Sequence, residues 1–189
     1  RKVPVPAPKW CKPAGWSNGW DALEERDSGD VCYVGWNVNG IAKKAKKADI
    51  LSALNALGAD IVGVTEHTKY RKDDLVTEEN RHEPVSDWPD LKMAGYRCLS
   101  THRKEGEGGG SALYWKNEMN VEAWDAPAPG VGFEEAAGER LWIKMKCKDS
   151  FRLFAVVYMP CEGTDASKPG LYEKILEVLS ADLRKANEL

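Results

Sequence analysis

Residues 31–67 read VCYVGWNVNGIAKKAKKADILSALNALGADIVGVTEH, and the way this stretch divides decides the fold. VCYVGW is a short apolar run of β-forming residues and predicts a buried strand. From Lys43 the period changes. Ala45, Ala48, Leu51, Leu54 and Leu57 recur at about every third residue and Gly58 follows as a stop, which predicts an amphipathic helix. DIVGVTEH returns to an apolar run and predicts a second strand. Strand, helix and strand within the span of one βαβ unit make the two strands parallel, joined by a right-handed crossover. The stretch also raises a chemical question. Asn37 and Asn39 stand where the first strand runs out, although asparagine is a poor strand residue and carries no charge.

In an open α/β sheet, functional side chains collect just past the carboxyl ends of parallel strands. Asn37 follows one such strand and Glu66 the next, so both belong at one rim. A carboxylate there is a hard oxygen ligand suited to Mg²⁺ or Mn²⁺. A neighbouring carboxamide can hydrogen-bond a phosphate, or orient the carboxylate, without adding negative charge. A structural reading stands beside this one: Asn37 and Asn39 make the turn from strand to helix, and Glu66 is a solvated strand end.

On either side the organisation is legible from pattern. Residues 1–30 carry Pro4, Pro6, Pro8 and Pro13 without apolar periodicity and read as an extended arm or linker; the domain proper starts near Val31. Residues 68–93 form a long polar connection. YRCLST and SALYWKN are β-rich runs joined by HRKEGEGGG, a hairpin with an oversized glycine-rich loop. ERLWIKMKC and FRLFAVVYMP form a second hairpin, in which Leu141, Ile143 and Met145 alternate against Trp142 and Lys144. Pro169 opens a last helix with Leu171, Ile175, Val178, Leu179 and Leu183 on one face.

Composition bounds the function. With 189 residues, 42% of them hydrophobic and 30% charged, the chain can build one globular core. A net charge of −3 gives no global basic field, so any nucleic-acid contact is local. No apolar run approaches the length of a bilayer span. The five cysteines are widely spaced and include no CxxC pair, which fits neither a zinc ribbon nor a disulfide framework and points to a reducing compartment. The eight tryptophans are expected to serve packing.

WNVNGI, ADIVGVTEH, GGGSALYWKN, ERLWIKM and FRLFAVVYMP, in this order and spacing, resemble the N-terminal part of the endonuclease/exonuclease/phosphatase superfamily. The endonuclease domain of LINE-type (non-LTR) retrotransposons and the related apurinic/apyrimidinic endonucleases are the nearest in flavour. The resemblance covers residues 31–189. It implies a two-sheet α/β sandwich with outer helices that cuts phosphodiesters with a divalent metal, Mg²⁺ or Mn²⁺. The first-motif asparagine falls on Asn37, the metal-binding glutamate on Glu66, and the tyrosine after the long strand on Tyr158. Asn39 sits where some relatives have aspartate. In these roles Glu66 would hold the metal, while Asn37 and Tyr158 would position the phosphate.

The superfamily's Asp-x-Asn motif, a further aspartate and a terminal Ser-Asp-His motif do not occur here; Ser86 and Asp87 are followed by Trp88. Residues 31–189 therefore read as an N-terminal portion, truncated at the C-terminus, that lacks the other half of its domain and is expected to be inactive alone. Arg103 and Lys104, at the tip of the first hairpin, are candidate DNA contacts. Lys43, Lys44, Lys46 and Lys47 either touch a phosphate backbone or form a solvated helix face. His67, His82 and His102 read as solvated loop residues. Gly108, Gly109 and Gly110 permit a tight path into the next strand. Three functions follow: DNA nicking by a retrotransposon-type endonuclease, hydrolysis of small or lipid phosphoesters on the same fold, or a non-catalytic remnant acting as an interaction module.

Overall fold

The computed structural model describes residues 30–38, 41, 44–67, 85–86, 91–101, 110–133, 136, 139–147, 150–159 and 170–189. Strand β1 (Tyr33–Asn37) leads through helix α1 (Lys44–Ala56) to β2 (Ile61–Thr65), and the two strands pair in parallel with Asn37 opposite Thr65. Strands β3 (Val85–Ser86), β4 (Tyr96–Ser100) and β5 (Ser111–Lys116) add antiparallel to give a five-stranded sheet in the order β1-β2-β5-β4-β3. A three-stranded sheet follows, β6 (Val121–Ala123), β7 (Arg140–Lys146) and β8 (Phe151–Val157), ordered β6-β7-β8. Helix α2 (Leu171–Ala186) closes the described chain. The βαβ unit and both hairpins stand where the sequence pattern placed them. β3 and β6 were hidden from it, because two- and three-residue strands are too short to show a period.

Side-chain alternation sorts the five-stranded sheet into two faces. Val34, Trp36, Val38, Val62, Val64, Cys98, Ala112 and Tyr114 pack against Ile50 and Leu54 of α1. Ile61, Leu99, Leu113 and Trp115 turn the other way and meet Leu141, Ile143, Met145 and Val156 of the second sheet. The outer face of that sheet is covered by α2 through Leu171, Ile175 and Val178. The layers therefore run helix, sheet, sheet, helix. The two sheets approach closely at Gly63, where an added β-carbon would run into the Tyr33 hydroxyl and sit 3.1 Å from the Val156 side chain. The Tyr33 hydroxyl donates to the Ala155 carbonyl at 2.8 Å. Among the described residues β1 is an end strand of one sheet and β8 of the other, so this bond brings an end strand of each sheet to the same side of the sandwich.

Three expectations are corrected. Ala48 is exposed and Ile50 is buried, so the seam of α1 runs through Ile50 and Leu54 rather than through Ala48. Leu183 is exposed, and the position next to it, Asp182, is fully buried. Its carboxylate receives Arg140 Nε at 2.5 Å, Arg140 Nη2 at 3.0 Å and Trp142 Nε1 at 2.8 Å. A forked guanidinium and an indole thus satisfy a charge that helical periodicity alone would have placed in solvent. His67 is the third; it is a buried residue of the rim described below, not a solvated one.

At the end of the sheet where β1 and β2 begin, Asp60 receives the Cys32 amide at 2.9 Å and Lys116 Nζ at 2.7 Å. The bond to Asp60 raises the Lys116 ammonium pKa above its ordinary 10.5. Trp115 and Trp124 are buried, while Trp36 and Trp142 are half-buried, consistent with packing roles. Among the described residues no cysteine is in a disulfide and no helix is long and apolar enough to cross a membrane. Residues 1–29 of the proline-rich arm, Cys11 among them, and His82, His102 and Cys161 lie outside the described residues.

Candidate metal-binding rim

The rim is built from the ends of four neighbouring strands. Parallel pairing sets Asn37 beside Thr65, and antiparallel pairing sets Thr65 beside Ser111. Beyond β5, the Thr101 amide donates to the Ser111 carbonyl at 2.9 Å and the Ser111 amide donates to Thr101 Oγ1 at 3.4 Å. The β1–β2 ladder runs on past its strands, with the Val38 amide on the Thr65 carbonyl at 3.1 Å and the Ile41 amide on the His67 carbonyl at 3.2 Å.

Glu66 follows β2 directly, so the structure brings Asn37 and Glu66 to the same rim, as the strand ends required. Glu66 adopts φ +57, the only positive value of a non-glycine among the described residues. A regular strand would send residue 66 to the face packed on α1, with Val62 and Val64. The left-handed conformation breaks that alternation at the residue carrying the carboxylate. Such a conformation costs on the order of 1 kcal/mol and persists only where neighbours over-determine it.

His67 supplies that constraint. It is 0% exposed. Its amide donates to the Gly110 carbonyl at 3.4 Å, its carbonyl accepts from Ile41, and its Nε2 lies 2.8 Å from the Thr101 carbonyl. A carbonyl only accepts, so this bond requires the proton on Nε2. The imidazole also lies against Gly110, where a β-carbon would run into the ring. Gly110 has φ +80, so glycine is required there twice over. Gly110→Ala is expected to destabilise the chain by about 2–3 kcal/mol, combining a left-handed alanine with overpacking against a buried ring. Urea denaturation measures it; a loss below about 0.5 kcal/mol, the ordinary surface value, would mean the contact is slack.

Tyr158 lies one residue past β8, half-buried, with its amide donating to the Glu139 carbonyl at 2.8 Å. It belongs to the other sheet. Gly63 and Val156 touch where the sheets meet, three residues before Glu66 and two before Tyr158. At about 3.3 Å per extended residue, the chain travels about 10 Å from that contact to Glu66 and about 7 Å to Tyr158. Asn39, Arg103 and Lys104 lie outside the described residues, as do the side chains of Lys43, Lys44 and Lys46; Lys47 is half-buried.

Among the described residues, no three His, Cys, Asp or Glu side chains gather to hold a metal. Among the described residues the rim offers one carboxylate, Glu66, with neutral oxygens from Asn37, Thr65 and Ser111 on strands in register. That donor set suits a hard cation such as Mg²⁺, which is commonly held by one or two carboxylates and keeps several waters. It does not suit zinc, which takes nitrogen and sulfur ligands in a closed tetrahedron. Sequence reasoning missed His67 and Ser111. The alternation of SALYWK does place Ser111 on the face of Leu113 and Trp115, so its inward position was readable; the burial of His67 was not.

The architecture has solved counterparts. The AP endonuclease LMAP from Leishmania major is similar over 81% of this chain and 47% of its own, at 19% identity and a TM-score of 0.57. The fold is the endonuclease/exonuclease/phosphatase fold. The APE2 catalytic domain of Xenopus laevis is similar over 80% of this chain and 52% of its own, at 20% identity and a TM-score of 0.49. An AP endonuclease from Archaeoglobus fulgidus is similar over 82% and 52%, at 18% identity and a TM-score of 0.47. This chain thus spans about half the length of the endonucleases it matches. No protein-family model matches it, and no curated protein is significantly similar in sequence.

Proposed function

We propose that the chain is the metal-carboxylate half of a divalent-metal-dependent phosphodiesterase domain that nicks DNA, of the kind found in retrotransposon endonucleases. The observation carrying this reading is Glu66: a carboxylate in a left-handed conformation just past a parallel strand, beside Asn37. Backbone strain concentrated at one polar residue of a rim is a mark of function. Under this reading Glu66 holds Mg²⁺ or Mn²⁺, which when bound polarises the scissile phosphate and stabilises the leaving oxygen. Asn37 orients the phosphate with its carboxamide, and Tyr158 reaches the same phosphate from the second sheet. Asn39, Arg103 and Lys104 complete the DNA contacts.

The partner is the second half of the domain. Two things support it: LMAP is about twice as long as its match to this chain, and β1 and β8, the end strands of the two described sheets, lie together on one side of the sandwich. Strands added beside β1 and β8 would extend both sheets at once. The second half would also bring the water-activating groups, for which residues 31–189 hold no motif. The test is nicking of supercoiled plasmid with Mg²⁺. The full-length protein is expected to nick in an EDTA-sensitive manner, and the 189-residue chain to stay at background. Hydrolysis of small phosphoesters without plasmid nicking would replace the DNA reading.

A further inference from the structure

Asn37, Thr65 and Ser111 form one cross-strand row at the rim, set by the registers Asn37 to Thr65 and Thr65 to Ser111. All three lie on the sandwich-facing side, on the same face as Tyr33, Ile61, Gly63, Leu113 and Trp115 of their own strands. One step deeper the row is Gly35, Gly63 and Leu113. The change from glycine and leucine to three hydrogen-bonding side chains is abrupt and falls at the strand ends next to Glu66.

Ser111 is the telling member. It is 0% exposed, and its hydroxyl has no hydrogen-bond partner among the described residues. A buried hydroxyl without a partner is a net cost that alanine or valine would avoid, and valine is also the better strand residue. The neighbours Ser100 and Thr101 are equally buried, yet Thr101 is bonded through Oγ1. The orphan hydroxyl therefore marks a place for a polar group that the folded chain does not itself supply.

We propose that Ser111, with Thr65 beside it, is a positioning residue that hydrogen-bonds a water in the coordination shell of the cation held by Glu66. This rests on the metal-dependent reading of the rim. A cation with a single protein carboxylate keeps most of its water, and those waters donate hydrogen bonds outward. Neutral oxygens accept them without adding charge beside an anionic substrate. Such outer partners fix the orientation of the inner shell and typically govern metal affinity by about 10- to 100-fold.

The experiment titrates Mn²⁺ into the metal-free 189-residue chain, followed by water-proton relaxation, with thermal unfolding of each metal-free variant alongside. Ser111→Ala is expected to bind Mn²⁺ about tenfold more weakly, while its metal-free Tm is unchanged or higher because an unpaired hydroxyl has gone. Ser111→Thr keeps the hydroxyl and restores affinity; Ser111→Val, of the same size without it, does not. Wild-type affinity in Ser111→Ala, with binding lost in Glu66→Gln, overturns the role of Ser111 and leaves the metal site standing. A lowered Tm in Ser111→Ala, with Thr and Val variants equally impaired, makes Ser111 a packing residue and also overturns it. Absence of Mn²⁺ binding to the wild-type chain removes both the metal reading and this extension of it.

Discussion

Glu66→Gln is expected to lower Mg²⁺-dependent cleavage by the full-length protein at least about a hundredfold, with its far-ultraviolet circular dichroism unchanged. The substitution keeps the size of the side chain and its backbone demand, and removes only the charge. Glu66 is half-buried at a rim, so no packed core depends on that charge. Its backbone is held by neighbours that the substitution does not touch: the His67 amide on Gly110, the His67 carbonyl under Ile41, and the ring under Thr101. The initial rate of plasmid nicking at saturating Mg²⁺ is the measurement. Near-normal cleavage would end the assignment of Glu66 as metal ligand and return its left-handed φ to a local requirement of the turn.

The largest expected loss of stability lies on the other sheet. Asp182→Ala removes the buried carboxylate that receives two guanidinium nitrogens of Arg140 and strips Trp142 Nε1 of its acceptor. Breaking one side of a buried ion pair costs about 3–5 kcal/mol, against about 0–1 kcal/mol for an exposed one. Arg140 and Asp182 have side chains 8% and 0% exposed, so the larger figure applies. Arg140 also donates to the Pro127 carbonyl at 3.0 Å, so the damage spreads into the segment that leads from β6 to β7. Chemical denaturation of the chain gives the number. A loss under about 1 kcal/mol would show that water reaches Arg140 once the carboxylate is gone.

These two residues also divide what pattern could reach from what it could not. Glu66 was legible because its position depends on local rules: an apolar run, a helix, a second apolar run, and the convergence of parallel strand ends. Asn37 came with it. Both hairpins and the inward set Leu141, Ile143 and Met145 followed from period-two alternation, which is a property of the strand itself. The crossover made β1 and β2 parallel before any contact was known.

Asp182 and His67 obeyed no such rule. Helical spacing put Leu183 on the buried face of α2, yet Arg140, 42 residues away, pulls the charged neighbour inward and leaves the leucine exposed. His67 follows a strand as an ordinary loop residue would, and only the approach of Gly110 and Thr101 from β5 and β4 encloses its ring. Ser111 is intermediate. Alternation fixes the face it occupies, but the burial that leaves its hydroxyl without a partner among the described residues exists only in the folded chain. By itself the sequence determined the order and direction of the longer elements and the facing of the longer strands, because those depend on residues a few positions apart. Which polar groups are buried and which of them are paired was decided by the tertiary structure, because desolvation depends on what the rest of the chain brings into contact.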